Sequence, residues 1–422
     1  MTTLKDYSAQ DFRADLLAGI TVAMVAIPLS MAIAIASGAE PAVGLVTAIV
    51  AGFLISFLGE SRVQIGGPTG AFIVVVFGVI ADHGYEGLVL ATLLAGVILL
   101  VAALFRAGSL IRYVPESVIN GFTIGIAAII ATSQIKDFVG LSVDHVPANF
   151  LEKLPVLWQA RDSLNVSALL IALATMVLIV AFRRVAPRFP GLIFAVAITS
   201  AIAVFSALEI DTIFSRFGAL PDTLPLPHLP DMSVEKIVEM LPSAFVIAFL
   251  AGVESLLSAM VADRMISGNH RPNAEILAQG FANLGSSLFG GLPATGAIAR
   301  TATNVRAGGK TPIAGIVHAL TVLIVLLIAA PLAGYLAMPA LATLLILTAW
   351  NLILTAWNMS EPHKWQSYLQ APASDRVLLV LTFALTVLTD LTIAIGVGVA
   401  LGLALRLRHR KVPEADWKTP ER

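Results

Sequence analysis

The 422-residue chain is 58% hydrophobic and 13% charged, with mean hydropathy +0.89 and net charge −1. Ordinary soluble domains carry roughly 25% charge, so the deficit excludes a soluble globular protein, and the charge balance offers no argument for a nucleic-acid partner. Cysteine is absent, which excludes disulfides and thiolate chemistry.

A helix needs about 20 apolar residues to cross the hydrocarbon. The first uncharged run, Leu16–Gly38, is too long for a secretory signal and reads as the first span. Pro41–Gly59, Val63–Ala81, Gly87–Phe105, Ser117–Ile135, Ser163–Phe182 and Phe189–Leu208 follow. The polar, proline-rich stretch Glu209–Met240 predicts an exposed loop with a short amphipathic piece at Val234–Met240. The second half resumes with Leu241–Ala262, interrupted by Glu254, then Ile276–Ala299 and a short segment around Arg300–Val305. Thr311–Ser360 carries no formal charge and must fold back near Pro331 to Gly334. Val377–Thr389 and Leu391–Leu405 close the set, with Asp390 at their turn. The pattern predicts an all-α polytopic membrane protein of about fourteen segments, seven per half.

Charge asymmetry orients the segments. Arg106/Arg112, Arg183/Arg184/Arg188, Arg264/Arg271, Arg306/Lys310 and the run Arg406 to Lys411 fall on one side, and the acids around Asp82, Asp144 and Asp211–Asp222 on the other. By the positive-inside rule both termini are cytoplasmic.

The stretch "GGPTGA" at residues 66–71 has an echo, "GGLPATGA", at 290–297. Each sits at the third segment of its half. An odd number of spans separates equivalent positions, so the halves run in opposite directions, an inverted repeat with two half-helices, segments 3 and 10. Non-helical backbone at membrane depth survives only buried in protein or lining a wet cavity. A helix starting at Thr69 or Gly70 exposes free N–H groups and a partial positive charge, and its counterpart starts near Ile298–Arg300. Two such ends facing each other make an anion cradle. The plainer alternative is glycine packing or kinks.

Arg300 is a cation at membrane depth and at the electrostatically wrong end of a helix, a mismatch that an intervening anion resolves; snorkelling or a structural ion pair is the alternative. Glu254 is the carboxylate placed well inside a span, with Ser258 one turn later. The pair suits Na⁺ or a proton, and equally the neutralisation of Arg300. "AGGKT" at 307–311 lacks the earlier glycine of a phosphate loop, and His318, alone in an apolar run, reads as packed. No HExxH, GxSxG or metal-ligand cluster occurs, so the chain is not read as an enzyme, and no cofactor is expected.

"GITVAMVAIPLSMAIAIASGAEPAVGL", "IGGPTGAFIVVV", "GVESLLSAMVADRM" and "GAIARTATNVRAGGKTPIAG" resemble the sulfate permease (SulP) family of anion transporters, over Asp11 to about Arg408. The resemblance implies a transmembrane transporter domain over 1–411 and a short cytoplasmic tail, 412–422. It implies a core of segments 1–4 and 8–11 (about 14–106 and 241–330), a gate of segments 5–7 and 12–14 (about 112–208 and 334–408), and elevator-type motion. Its anion site maps onto Thr69, Gly70, Ala71, Ala299, Arg300, Thr301, Leu29 and Ile33, with Glu254 for coupling; the one-turn spacing adds Ser258. Many relatives carry a following soluble STAS domain, which this sequence lacks. Leu29 resembles the bicarbonate branch and Arg300 the sulfate and chloride members.

The leading expectation is a secondary transporter for a small inorganic oxyanion, sulfate or bicarbonate, coupled to H⁺ or Na⁺. A nucleobase:cation symporter of the same fold and a passive anion channel are the alternatives. The expected partners are the anion, the coupling ion, the lipid bilayer of a bacterial inner membrane and, from relatives, a second copy in a homodimer.

Overall fold

The computed structural model describes residues 7–106, 108, 116–143, 146–147, 150–186, 189–359, 373–389, 394, 396–398 and 400–401. The expectations for Arg112, Asp144, Arg188, Ser360, Asp390, most of Leu391–Leu405, the run 406–411 and the tail 412–422 lie outside these residues.

Ser8 and Asp11 cap each other's backbone N–H groups and start α1, Ala9–Ala36. Helix α2, Pro41–Leu58, opens on a proline, whose missing N–H has no intrahelical partner there. The chain is then extended through β1, Gly66–Gly67, makes a 3₁₀ turn over Gly70–Phe72, and enters α3, Ile73–Leu104. Gly84, at φ 71° and ψ −179°, splits α3 into two arms, so the expected spans Val63–Ala81 and Gly87–Phe105 share one element and the first begins only at Gly70. There follow α4 (Glu116–Ser133), α5 (Ile135–Val139), α6 (Phe150–Gln159), α7 (Val166–Val185), α8 (Gly191–Phe205) and α9 (Ile213–Phe217). The second half holds α10 (Val234–Ile266), α11 (Pro272–Leu288), β2 (Thr295–Gly296), α12 (Ile298–Ala307), α13 (Ile313–Ala333), α14 (Met338–Met359) and α15 (Ala373–Leu388). Among the described residues, seven helices are long and apolar enough to span a membrane, and three shorter apolar ones accompany them.

Three sequence expectations need correction. Val234–Met240 is not a separate piece: the helix runs on through Pro242, since the groups a helical proline frees can be re-satisfied by local adjustment. Ile276–Ala299 is not one span: α11 stops at Leu288, and the chain is non-helical until Ile298. Glu254 is not the sole carboxylate set within the core helices: Asp15 of α1 and Glu275 of α11 are fully buried, whereas Glu254 is half-buried. Spans cut at charges began just after each, at Leu16 and Ile276, whereas α1 and α11 start before them.

The buried acids tie the helices together. Asp15 on α1 accepts from Lys310 N (2.6 Å), Thr311 N (3.1 Å), Thr311 Oγ1 (2.5 Å) and Tyr7 OH (2.9 Å), fixing the turn that enters α13. Glu275 accepts from the backbone of Glu60 (3.2 Å) and Ser61 (3.4 Å), from Ser255 Oγ and from Gln279 Nε2, binding the end of α2 to α10 and α11. Every donor removes part of the cost of burying the charge.

Helices α1, α2, α3, α10, α11, α12 and α13 pack as one group. Within it α1 lies along α13 as α10 lies along α3, and α2 meets α13 as α11 meets α3, a cross-exchange between the two halves. Helix α4 packs on α14 and α15, α14 on α7, and α7 on α8, forming a second group. Arg216 of α9 braces the second group by pairing with Asp137 and Asp211, each at 2.8 Å.

With no hydrophobic drive between helices in lipid, packing relies on close backbone approach at small residues. Gly44 is such a point: a Cβ there would stand 2.0 Å from Ser30 O on α1. Gly44→Ala should therefore destabilise by about 1–3 kcal/mol through overpacking, whereas Gly78→Ala, with nothing within 4 Å of its added Cβ, should not. Thermal unfolding in detergent compares the two; equal midpoints would contradict the packing argument.

Candidate functional site

The two Gly/Pro motifs meet. β1 and β2 pair antiparallel, Gly66 opposite Gly296 and Gly67 opposite Thr295. The pairing needs glycine: a Cβ on Gly66 would lie 2.2 Å from Ile55 Cδ1, and one on Gly296 1.7 Å from Gln64 Nε2. Gly67, at φ 147°, would put its Cβ 2.1 Å from Arg300 Nη1.

Polar side chains serve the rest of this buried backbone. Ile65 O accepts from Ala297 N (2.8 Å), and Ile65 N donates to Thr301 Oγ1 (3.1 Å). Asn304 Nδ2 donates to Val63 O, and the Asn283 amide both donates to and accepts from Ala294, all at 2.9 Å. Thr47 Oγ1 accepts from Leu292 N (2.7 Å), and Ser286 Oγ donates to Leu292 O (2.6 Å). Sequence reasoning missed Asn283, Asn304, Thr47, Ser286 and Gln64. Their only signal was polar residues recurring in otherwise apolar spans.

From this pair the chain leaves as two helix ends, the 3₁₀ turn at Gly70 and α12 at Ile298. Neither Thr69 nor Ala297 caps its helix with a side chain. The first N–H groups of both ends are therefore left for a ligand or water.

Beside these ends lies a cavity of about 50 Å³. Ala71 and Ile298 line it from the helix ends, and Glu254 with Phe249, Leu250, Val253 and Leu257 from α10. The opposite wall is α4, chiefly Phe122, Thr123 and Ile126, with Leu352 of α14 and Thr382 of α15. Thr69 Oγ1 donates to Glu254 Oε2 at 2.8 Å, across 185 residues of sequence. Gly70 faces the same wall, where a Cβ would meet Thr348 at 3.4 Å and Ile130 at 3.5 Å.

The other expected site residues do not line the cavity. Arg300 is 2% exposed, and its guanidinium turns away from Glu254 to donate to Ser30 Oγ (3.0 Å), Pro68 O (3.1 Å) and Gly66 O (3.4 Å). It neither snorkels nor forms an ion pair among the described residues; it fastens the strand preceding the first helix end. Thr301 is buried and spent on Ile65 N and on Ser258 Oγ (3.2 Å). Ser258 thus joins Thr301, not Glu254. Ala299 is exposed, whereas Leu29 and Ile33 pack into the apolar core through α1. His318 is fully buried beside Gly52, with neither ring nitrogen bonded. Among the described residues no group of three His, Cys, Asp or Glu side chains forms a metal site.

The comparisons with known proteins agree with this architecture. The sulfate permease family model matches residues 12–368. YvdB of Bacillus subtilis (strain 168), provisionally named a sulfate transporter, is 45% identical over 390 residues, covering 92% of this chain and 72% of that protein. The bicarbonate transporter BicA of Picosynechococcus sp. is 31% identical over 347 residues, 79% of this chain and 60% of that protein's length. The solved transmembrane domain of a cyanobacterial BicA superposes with a TM-score of 0.78 at 28% identity, covering 92% of this chain and 98% of that one. The chain is thus an integral, multi-pass membrane protein that belongs to the sulfate permease family, a family of transporters and not of enzymes.

Proposed function

We propose that the protein is a secondary active transporter of a small inorganic oxyanion, sulfate or hydrogen carbonate, and that the anion sits between the helix ends at Gly70 and Ile298. The observation that carries this is the pair of uncapped helix ends held together by β1 and β2 beside one cavity. Each end carries about half a positive charge and free N–H donors, the recurring chemistry of anion sites. Thr69, Gly70, Ala71 and Ala299 contribute through the backbone. Arg300 and Thr301 hold the two stretches in place, and Leu29 and Ile33 support them from α1.

In this reading α1–α3 and α10–α13 form the substrate-carrying core, and α4–α8, α14 and α15 the gate, in a seven-plus-seven inverted repeat. Cavity walls drawn from both groups fit elevator-type motion, in which the core slides past the gate with the anion aboard. Glu254 couples transport to H⁺ or Na⁺. The basic ends at Arg183/Arg184, Arg264/Arg271 and Arg306/Lys310 favour cytoplasmic termini, and the protein works in the membrane as a dimer.

The direct test is uptake of labelled sulfate and hydrogen carbonate into liposomes holding the purified protein. Accumulation against a gradient, lost when the H⁺ and Na⁺ gradients are collapsed, is the expected result; flux that only dissipates gradients would make the protein a channel.

Two variants probe the site. Gly70→Val should abolish uptake while the protein still folds, because a branched side chain would crowd Thr348, Ile130 and the free N–H groups. Normal uptake by a folded Gly70→Val protein would move the anion elsewhere. Arg300→Ala strips a donor from two buried carbonyls, at a cost of roughly 1–3 kcal/mol each. It should lower the melting temperature together with transport. Weaker anion affinity with an unchanged melting temperature would instead mean that Arg300 touches the anion.

A further inference from the structure

The cavity walls deny an anion side-chain donors. Apart from Glu254, Thr123 and Thr382, every lining residue is aliphatic or aromatic. The Thr123 hydroxyl donates to Ile119 O (2.8 Å) and that of Thr382 to Leu378 O (2.7 Å), each turned onto its own helix. Thr348, beside Gly70, donates likewise to Leu344 O (2.8 Å), and the Thr69 hydroxyl donates to Glu254 Oε2. None of these hydroxyls has a second hydrogen to offer. Arg300 is engaged with Ser30, Gly66 and Pro68. Among the described residues, the N–H groups of the two helix ends are the donors that remain. Space is short as well. One water needs roughly 10–15 Å³, so a cavity of about 50 Å³ admits a small anion without a water shell around it.

Resting on the anion site proposed above, we infer that the cavity selects poorly hydrated monoanions over sulfate, and that Phe122 and Ile126 of α4 with Leu352 of α14 are the specificity-determining residues. These side chains strip water from the anion and put no donor in its place. The dependence on charge decides the order. The cost of desolvation grows with the square of the charge, so a dianion loses about four times what a monoanion of equal radius loses. Attraction to the helix ends and to the Arg300 charge grows linearly, so for the dianion it only doubles. Repulsion from an ionised Glu254 is also linear and falls twice as hard on the dianion. Among monoanions, the one that holds water least tightly loses least on entry, so nitrate leads chloride. The three wall residues belong to the second group of helices, so the selection is imposed where the first group meets it.

Titration calorimetry of the purified protein with nitrate, chloride, hydrogen carbonate and sulfate, at one mildly alkaline pH and constant ionic strength, reads the order directly. Nitrate should bind more tightly than chloride, and sulfate should bind at least about tenfold more weakly than any of the three monoanions. In Ile126→Asn, which sets amide donors in the wall, the gap between nitrate and sulfate should narrow by about tenfold or more. Ile126→Val, which keeps the wall apolar, should preserve the native order. Sulfate binding within tenfold of nitrate in the native protein, or chloride ahead of nitrate, would overturn the inference and leave the anion site standing. A folded Ile126→Asn protein with the native gap would overturn the role of the wall. Binding of no anion at all would overturn the site and the inference together. The native order decides the matter even if Ile126→Asn does not fold.

Discussion

A backbone N–H or C=O buried away from water must find a partner, and in a membrane no solvent supplies one. This requirement organises the molecule. To present free N–H groups to an anion, the chain has to stop being helical inside the membrane, and every other polar group of the interruption then needs a home. The pairing of Gly66–Gly67 with Thr295–Gly296 houses some of them. Thr301, Asn304, Asn283, Thr47 and Arg300 house the rest, and nearly all of them reach across more than 200 residues of sequence. Asn283 is the local exception, eleven residues from its partner. The two halves cannot build the site separately, because each supplies the partners of the other's broken backbone.

The same constraint accounts for the polar content of an otherwise apolar interior. Asp15 and Glu275 are fully buried, yet each accepts several hydrogen bonds from turns that the helices could not otherwise satisfy. Arg300 resolves its mismatch with the helix N-terminus by reaching carbonyl oxygens of the facing strand. Its charge therefore lies behind the first helix end, where it adds to the field at the cavity without contributing a side-chain donor to it.

Much of this was legible in the sequence. Uncharged runs located most spans, and the two Gly/Pro motifs located both helix ends, because only glycine tolerates so close a backbone approach. Glu254 stood out because a carboxylate is rare amid apolar residues. The direction of Arg300 was not legible: helical spacing fixes the face a residue occupies, but not the acceptors its long side chain finds in strands far away in sequence. The Ser258–Thr301 bond escaped for the same reason, and so did Asn283 and Asn304, whose amides serve the extended backbone between helices. Glu275 was misplaced because a span cut at its first charge loses the turn that carries it.

The central claim is that the anion is held by backbone N–H groups of two facing helix ends. Solid-state NMR of the membrane-embedded protein, with ¹⁵N in the amides of Gly70, Ala71, Ile298 and Ala299 and in the arginine side chains, tests it most directly. On adding hydrogen carbonate or sulfate, the four amides should shift together and saturably, while the Arg300 guanidinium, held by Ser30 and Pro68, moves little. A saturable shift confined to the Arg300 guanidinium, with the four amides unmoved, would contradict the account.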